Sequence, residues 1–202
     1  MTERDIQKAI VTQYQRFLVI TNFTPLGWWE CDVWSMLRSG YTEECEIKTS
    51  LPDFRNDFKK SHRRYTPGLR NGRNVNKHAA LAAKDEMCPN RFYFVVPQGL
   101  SEDVAKELPE HAGLRIVITE SGFRSKGYYY HEGQVVELKR APLLHKRKVS
   151  NDEFRYAATN LSYRWQALKF HNGKEKLKYM IRDKRSLDHI SSRDIDIILE
   201  ML

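Results

Sequence analysis

Apolar positions change their period twice within the first fifty residues. Ile6, Ile10, Tyr14 and Phe17 recur at helical spacing behind Thr2 and Asp5, a capping-box pair, which predicts an amphipathic helix over 3–17. Phe17 to Phe23 is apolar and β-branched and predicts a strand. From Gly27 to Thr49 the period falls to two, giving two β segments joined at Arg38-Ser39-Gly40. A three-residue turn with Gly40 in the left-handed position sets Leu37 opposite Tyr41. Residue numbers of antiparallel partners sum to a constant, so Asp32 then faces Glu46 and Glu30 faces Lys48. Glu30, Asp32, Glu44, Glu46 and Lys48 share one face by alternation, and Trp29, Cys31, Val33, Cys45 and Ile47 share the core face.

The pattern continues as alternating helices and strands. Ser50 and Pro52 open a helix carrying Phe54 and Phe58, read to run on through the basic stretch to Tyr65. The Gly-, Pro- and Asn-rich run from Tyr65 to Lys77 reads as a mobile loop. A short helix over His78 to Ala83 precedes Arg91 to Pro97, an almost unbroken apolar run that reads as a central strand. Another short helix begins at Ser101, and Leu114 to Thr119 is a further strand. Tyr128 to His131 and Val135 to Lys139 flank a turn and predict a second hairpin. Glu137-Leu138-Lys139 repeats a Glu-x-Lys spacing, but its expected partner strand offers no carboxylate, so it reads as structural. From Ser150 the residues are helix formers. A long helix to about Phe170 and shorter ones over 174–181 and 192–202 form a helical extension, read as a cap on the domain or an oligomer contact. The expected fold class is α/β, a mixed sheet flanked by helices over 1–149 with a helical part over 150–202.

Composition narrows the setting. The 202 residues suffice for one domain with an appendage, and Lys plus Arg exceed Asp plus Glu by 34 to 26, a net charge of +8 that favours a polyanionic partner. Cys31, Cys45 and Cys88 make an odd count without paired spacing, so neither a disulfide framework nor a zinc site is indicated. No apolar run reaches membrane-spanning length, and the expectation is a cytoplasmic protein with no membrane partner.

Charge distribution sharpens the chemistry. Asp32 and Glu46 face to face would repel at a Cβ separation of about 4.5–5.5 Å. A hard divalent cation such as Mg²⁺ would offset that, and a neighbouring lysine suits an anionic substrate. No acidic residue occurs between Asp57 and Asp85, while Lys59, Lys60, Arg63, Arg64, Arg70, Arg73, Lys77 and Lys84 are basic. With Arg55 on the preceding helix, this stretch is read as a clamp on a phosphate backbone. The opposing reading of both features is solvated surface charge.

Asp32 on one strand and Glu46-Ile47-Lys48 on the next, after an N-terminal helix and before a basic helix, resemble the PD-(D/E)XK nuclease superfamily. The wider run, carried by WWECDVWSMLRSGYTEECEIKTSLPDFRNDFKK, PNRFYFVVPQGL, PEHAGL and APLLHKRK, is similar to the MmcB-like DNA-repair proteins of bacteria and phages and covers Gly27 to Lys148. The resemblance implies a restriction-endonuclease-like αβββαβ core and a Mg²⁺- or Mn²⁺-dependent nuclease acting on DNA. It implies metal ligands at Asp32, Glu46 and the Ile47 carbonyl, with Glu30 as an extra ligand, and a Lys48 that orients or deprotonates water. Cys31 stands where the name-giving proline would be. Two rival readings are a DNA-binding protein of the same fold without catalysis and an RNA-binding or assembly protein.

Overall fold

The computed structural model describes residues 1–64, 73–123 and 129–170. The chain divides into two compact units, Met1–Glu153 and Phe154–Leu202. Within the first, helix α1 (Glu3–Gln13) leads into three antiparallel strands, β1 (Leu18–Phe23), β2 (Cys31–Met36) and β3 (Thr42–Ile47). Helix α2 (Leu51–Asp57), strands β4 (Ser61–Arg64) and β5 (Arg73–Asn76) and helix α3 (Lys77–Ala82) then carry the chain to β6 (Arg91–Pro97), which pairs parallel to β3. Helix α4 (Ser101–Glu107) precedes β7 (Ala112–Val117), parallel to β6. Short strands β8 (Gly122–Phe123) and β9 (Tyr129–Tyr130) pair with each other, and β10 (Val135–Lys139) closes the far edge of the main sheet. The six strands stand in the order β1-β2-β3-β6-β7-β10. This is the expected mixed sheet with an αβββαβ core, followed by the helix α5 (Asn151–Phe170).

Each face of the sheet has its own cover. Thr2 caps α1 through a reciprocal capping box with Asp5, and the apolar stripe of that helix, Ile6, Ala9 and Ile10, packs on Val33, Cys45, Ile47, Tyr93, Val95 and Val117. On the opposite face, Phe54 of α2 lies 4.8 Å from Phe94, and His78 of α3 packs on Phe92 and Phe94. Successive residues of β6 therefore serve different cores, which is why that strand reads as continuously apolar.

Four expectations are corrected. Helix α1 stops at Gln13 because Tyr14 leaves the helical conformation and turns its hydroxyl toward Cys45 and Arg115. Helix α2 ends at Asp57: Ser61–Arg64 pairs with Arg73–Asn76, and Asn76 donates to the Phe58 carbonyl while the Lys77 N–H donates to that of Lys60. The stretch read as a mobile loop thus contributes a strand, and residues 65–72 lie outside the described residues. The second hairpin is not formed. Tyr129–Tyr130 pairs backward with Gly122–Phe123, whereas Val135–Lys139 pairs with β7, setting Glu137 opposite Arg115. The helices read over 174–181 and 192–202 lie outside the described residues.

The hairpin turn follows its expected course. Gly40 has φ +83°, and Leu37 accepts from the Gly40 N–H and donates to the Tyr41 carbonyl. A side chain at this φ costs about 1–2 kcal/mol. Its Cβ would also stand 3.3 Å from that of Lys148. Gly40→Ala is expected to lower stability by about that amount in urea unfolding; a variant as stable as wild type would show that the turn tolerates another conformation.

Candidate functional site

The turn sets the register that brings the acids together. Val33 pairs with Cys45 and Ser35 with Glu43, so residue numbers sum to 78 and Asp32 is level with Glu46. The ladder ends at Val33. Beyond it the Asp32 carboxylate takes over the pairing and accepts the Ile47 N–H at 2.6 Å, while the Asp32 carbonyl accepts from Gln7 of α1 at 2.9 Å. Side-chain alternation is not kept past that end: Cys31, expected on the α1 face, lies against Glu44.

The charged face is not solvated. It is covered by α2 and α3, leaving Glu44, Glu46 and Lys48 at most 4% exposed. Burying ionised groups is costly unless each is paired, and here each is. Lys77 Nζ lies 2.6 Å from Glu44 Oε1 and 2.7 Å from Glu46 Oε2, and Trp28 Nε1 donates to Glu44 Oε2 at 2.7 Å. Lys48 Nζ lies 3.0 Å from Glu46 Oε1 and 2.8 Å from Asp57 Oδ1. Lys60 contacts the same two oxygens, 2.6 Å from Asp57 Oδ1. On the far side Asp57 Oδ2 meets His78 Nε2 at 2.8 Å, and His78 Nδ1 meets His111 Nε2 at 2.9 Å.

Protonation follows from these pairings. Burial works to raise Glu46, but the ammoniums of Lys77, Lys48 and Lys60 outweigh it and hold the carboxyl below its ordinary range. Asp57 is likewise held far down, its burial outweighed by the His78 hydrogen bond and the same lysines. Burial opposes charge on Lys48, yet Glu46 and Asp57 raise it well above an ordinary lysine. Lys48 is therefore an ammonium at neutral pH, not a free base. For Glu44 burial wins over Lys77 and the acidity falls. Asp32 moves the same way: burial first and the Glu46 charge second push it up to about 7, against the Ile47 N–H.

The candidate residues thus divide. Asp32, Glu46, Ile47 and Lys48 come together at the end of β2 and β3. Glu30 does not join them, since it precedes β2 on irregular, exposed backbone. Among the DNA-contact candidates, Arg55 is exposed but held by both carboxylate oxygens of Glu107, at 2.9 and 2.5 Å, and Lys59 bonds Asn56. Lys60 is half in the ion network and half in solvent. Lys77 is corrected outright: it is fully buried and belongs to Glu44 and Glu46, so it offers nothing to a surface ligand. Arg63, Arg64 and Arg73 stand on the β4-β5 ribbon, where Arg64 pairs with Arg73 across the strands, and Arg70 lies outside the described residues. The sequence reading passed over Trp28, Asp57, His78 and His111. Asp57 carried a signal, an acid one turn after Phe54 and so on the buried side of a short helix. Among the described residues no group of three or more His, Cys, Asp or Glu is arranged to hold a metal ion, and no helix is long and apolar enough to cross a membrane.

Two stability experiments follow. Lys77→Met leaves Glu44 buried without its cation and is expected to cost about 3–5 kcal/mol in urea unfolding, with the Glu44→Gln/Lys77→Met double variant recovering much of it. Asp32 titrates near 7 when folded and near 3.9 when unfolded. The folded chain thus holds the extra proton between those values, and stability falls as pH rises through them. Asp32→Asn removes that fall, so its advantage over wild type is expected to grow from about pH 4 to about pH 8 and then level off. A constant difference would mean that Asp32 is not desolvated.

No protein-family model matches the chain, and no curated protein matches it. Among solved structures it is similar to a protein of unknown function from Silicibacter pomeroyi, at 19% identity over 83% of this chain and 88% of that one, with a TM-score of 0.50. At that identity the likeness concerns the fold.

Proposed function

We propose that the protein is a metal-dependent nuclease hydrolysing phosphodiester bonds of DNA in the cytoplasm, with its reaction centre at Asp32, Glu46 and Lys48. The observation that carries this reading is the meeting of a buried acid, Glu46, and a part-buried one, Asp32, level with each other at the end of a hairpin, with a protonated lysine two positions along from Glu46. Asp32, Glu46 and the Ile47 carbonyl are hard oxygen donors of the kind Mg²⁺ and Mn²⁺ prefer, and among the described residues Asp32 is the one acid of the group without a cation of its own. These three residues would hold the ion, which when bound lowers the pKa of its water and neutralises charge growing on phosphate.

The chain's own groups supply the rest. Lys48, held as an ammonium by Glu46 and Asp57, stabilises negative charge on the scissile phosphate and does not remove a proton from water. The β4-β5 ribbon, with Arg63, Arg64 and Arg73 on its strands, follows the backbone of the nucleic acid. Lys60 fills the outer side of Glu46 and is the one lysine of the network with an exposed side chain, 42% against 5% and 0% for Lys48 and Lys77. It is the cation that can withdraw toward solvent without leaving a buried acid alone. The occupation of both Glu46 oxygens by lysines favours a second reading, a DNA-binding protein of the same fold without catalysis.

Plasmid and single-stranded DNA incubated with the full chain in Mg²⁺ or Mn²⁺ should be cut, and Asp32→Ala or Lys48→Ala should slow cutting by ~10²-fold or more. Salt-sensitive binding without cutting would support the non-catalytic reading. Calorimetry with Mn²⁺ alone examines the metal directly. A partly exposed ion pair is worth about 1 kcal/mol, so Lys60→Met should bind Mn²⁺ roughly fivefold more tightly than wild type. Equal affinity would show that Lys60 does not compete for Glu46.

A further inference from the structure

We propose that Asp57 and His78 are positioning residues that hold the Lys48 ammonium at the reaction centre, an inference that rests on the hydrolytic reading above. Lys48 sits on a strand end, and its long side chain has three donors and several rotamers. Glu46 fixes one donor from the same strand. Asp57 holds the same ammonium by an ion pair from across the interface, its Oδ1 at 2.8 Å, at the last turn of α2. One anchor leaves the ammonium free to swing, whereas two from different elements define its position.

Asp57 is in turn fixed. An ionised carboxylate only accepts, so the hydrogen in the 2.8 Å contact belongs to His78 Nε2. The imidazole cannot turn away, because it stacks at 12° to Phe94, lies edge-on to Phe92 and packs 4.4 Å from Phe58. Its second nitrogen is tied to His111 Nε2 at 2.9 Å. Burial, with His78 and Lys139 beside it, holds His111 down to about 4, so His111 is neutral and shares one hydrogen with His78. The result is a line of polar contacts from the half-buried His111 through His78 and Asp57 to Lys48, walled by aromatic rings. It has the logic of an outer partner that orients an inner group and sets its charge. Packing alone would be served as well by leucine at His78; the hydrogen bond from Nε2 requires a donor there.

The experiment compares wild type with His78→Leu, His78→Gln and Asp57→Asn, all as the full chain. Glutamine places a side-chain N–H where Nε2 donates, and leucine does not. The first readout is the ¹⁵Nζ–H signal of Lys48, assigned by its loss in Lys48→Arg. It should be ordered and slow to exchange in wild type and His78→Gln, and broadened or absent in His78→Leu and Asp57→Asn. The second readout is DNA cleavage in Mg²⁺: kcat should fall by ~10–100-fold in His78→Leu with KM unchanged, and recover in His78→Gln. An unaltered Lys48 signal in both His78→Leu and Asp57→Asn overturns the proposal, as does a His78→Gln variant that behaves like His78→Leu. A wild-type chain that cuts no DNA removes the hydrolytic reading alone, because the Lys48 signal still decides whether Asp57 and His78 hold that ammonium.

Discussion

Strand β3 is buried at all six positions, Thr42–Ile47, although Glu43, Glu44 and Glu46 lie within it. A central strand built this way is tolerable only if the rest of the chain brings a cation or a donor to every carboxylate. On the α1 face Glu43 meets Arg16 at 2.8 Å and Arg115 at 3.4 Å, and Arg115 lies 3.4 Å over the Tyr93 ring. On the other face Glu44 takes Lys77 and Trp28, and Glu46 takes Lys77, Lys48 and Lys60. Much of the topology serves this requirement. The segment from α2 through the β4-β5 ribbon to α3 is what carries Asp57, Lys60, Lys77 and His78 over the carboxylate face.

The ion network is costly and rigid together. Its members come from β3, the residue after it, α2, the turn that follows α2, and α3, so no helix over that face can shift without separating a buried pair. Such a cluster contributes little net stability compared with well-packed apolar side chains, but it ties charge to defined positions. Asp32 stands at its edge, its carboxylate accepting the Ile47 N–H, and burial first and the Glu46 charge second raise it. Among the described residues, Asp32 is the acid of this group without an ion pair.

The two faces of the sheet also separate roles. The α1 side combines an apolar core with the Arg115 cluster, in which Tyr14, Cys45, Glu43 and Glu137 surround one guanidinium. That arrangement ties the N-terminal helix and the edge strand β10 to the middle of the sheet. Glu137-Leu138-Lys139, read as structural because its expected partner strand offers no carboxylate, contributes Glu137 to this cluster. The α2 and α3 side carries the lysines and the imidazoles, walled by Phe54, Phe58, Phe92 and Phe94.

Local chemistry made part of this legible from the residues in order. The capping box at Thr2, the apolar run Arg91 to Pro97 and above all Gly40 are short-range signals, and the glycine turn alone determined that Asp32 stands level with Glu46 with Lys48 two positions on. Alternation could say which side chains share a face but not whether that face is wet, because a row of glutamates reads as solvated until cations from distant positions cover it. Only the tertiary structure decided that. It brought Lys77 in from what read as a DNA-binding run, bent the chain after Asp57 into a ribbon with no apolar pattern of its own, and set Asp57 and His78 behind Lys48. Those contacts join residues far apart in the chain, and their energy lies in pairing charges away from water, a quantity that exists only once the elements are packed.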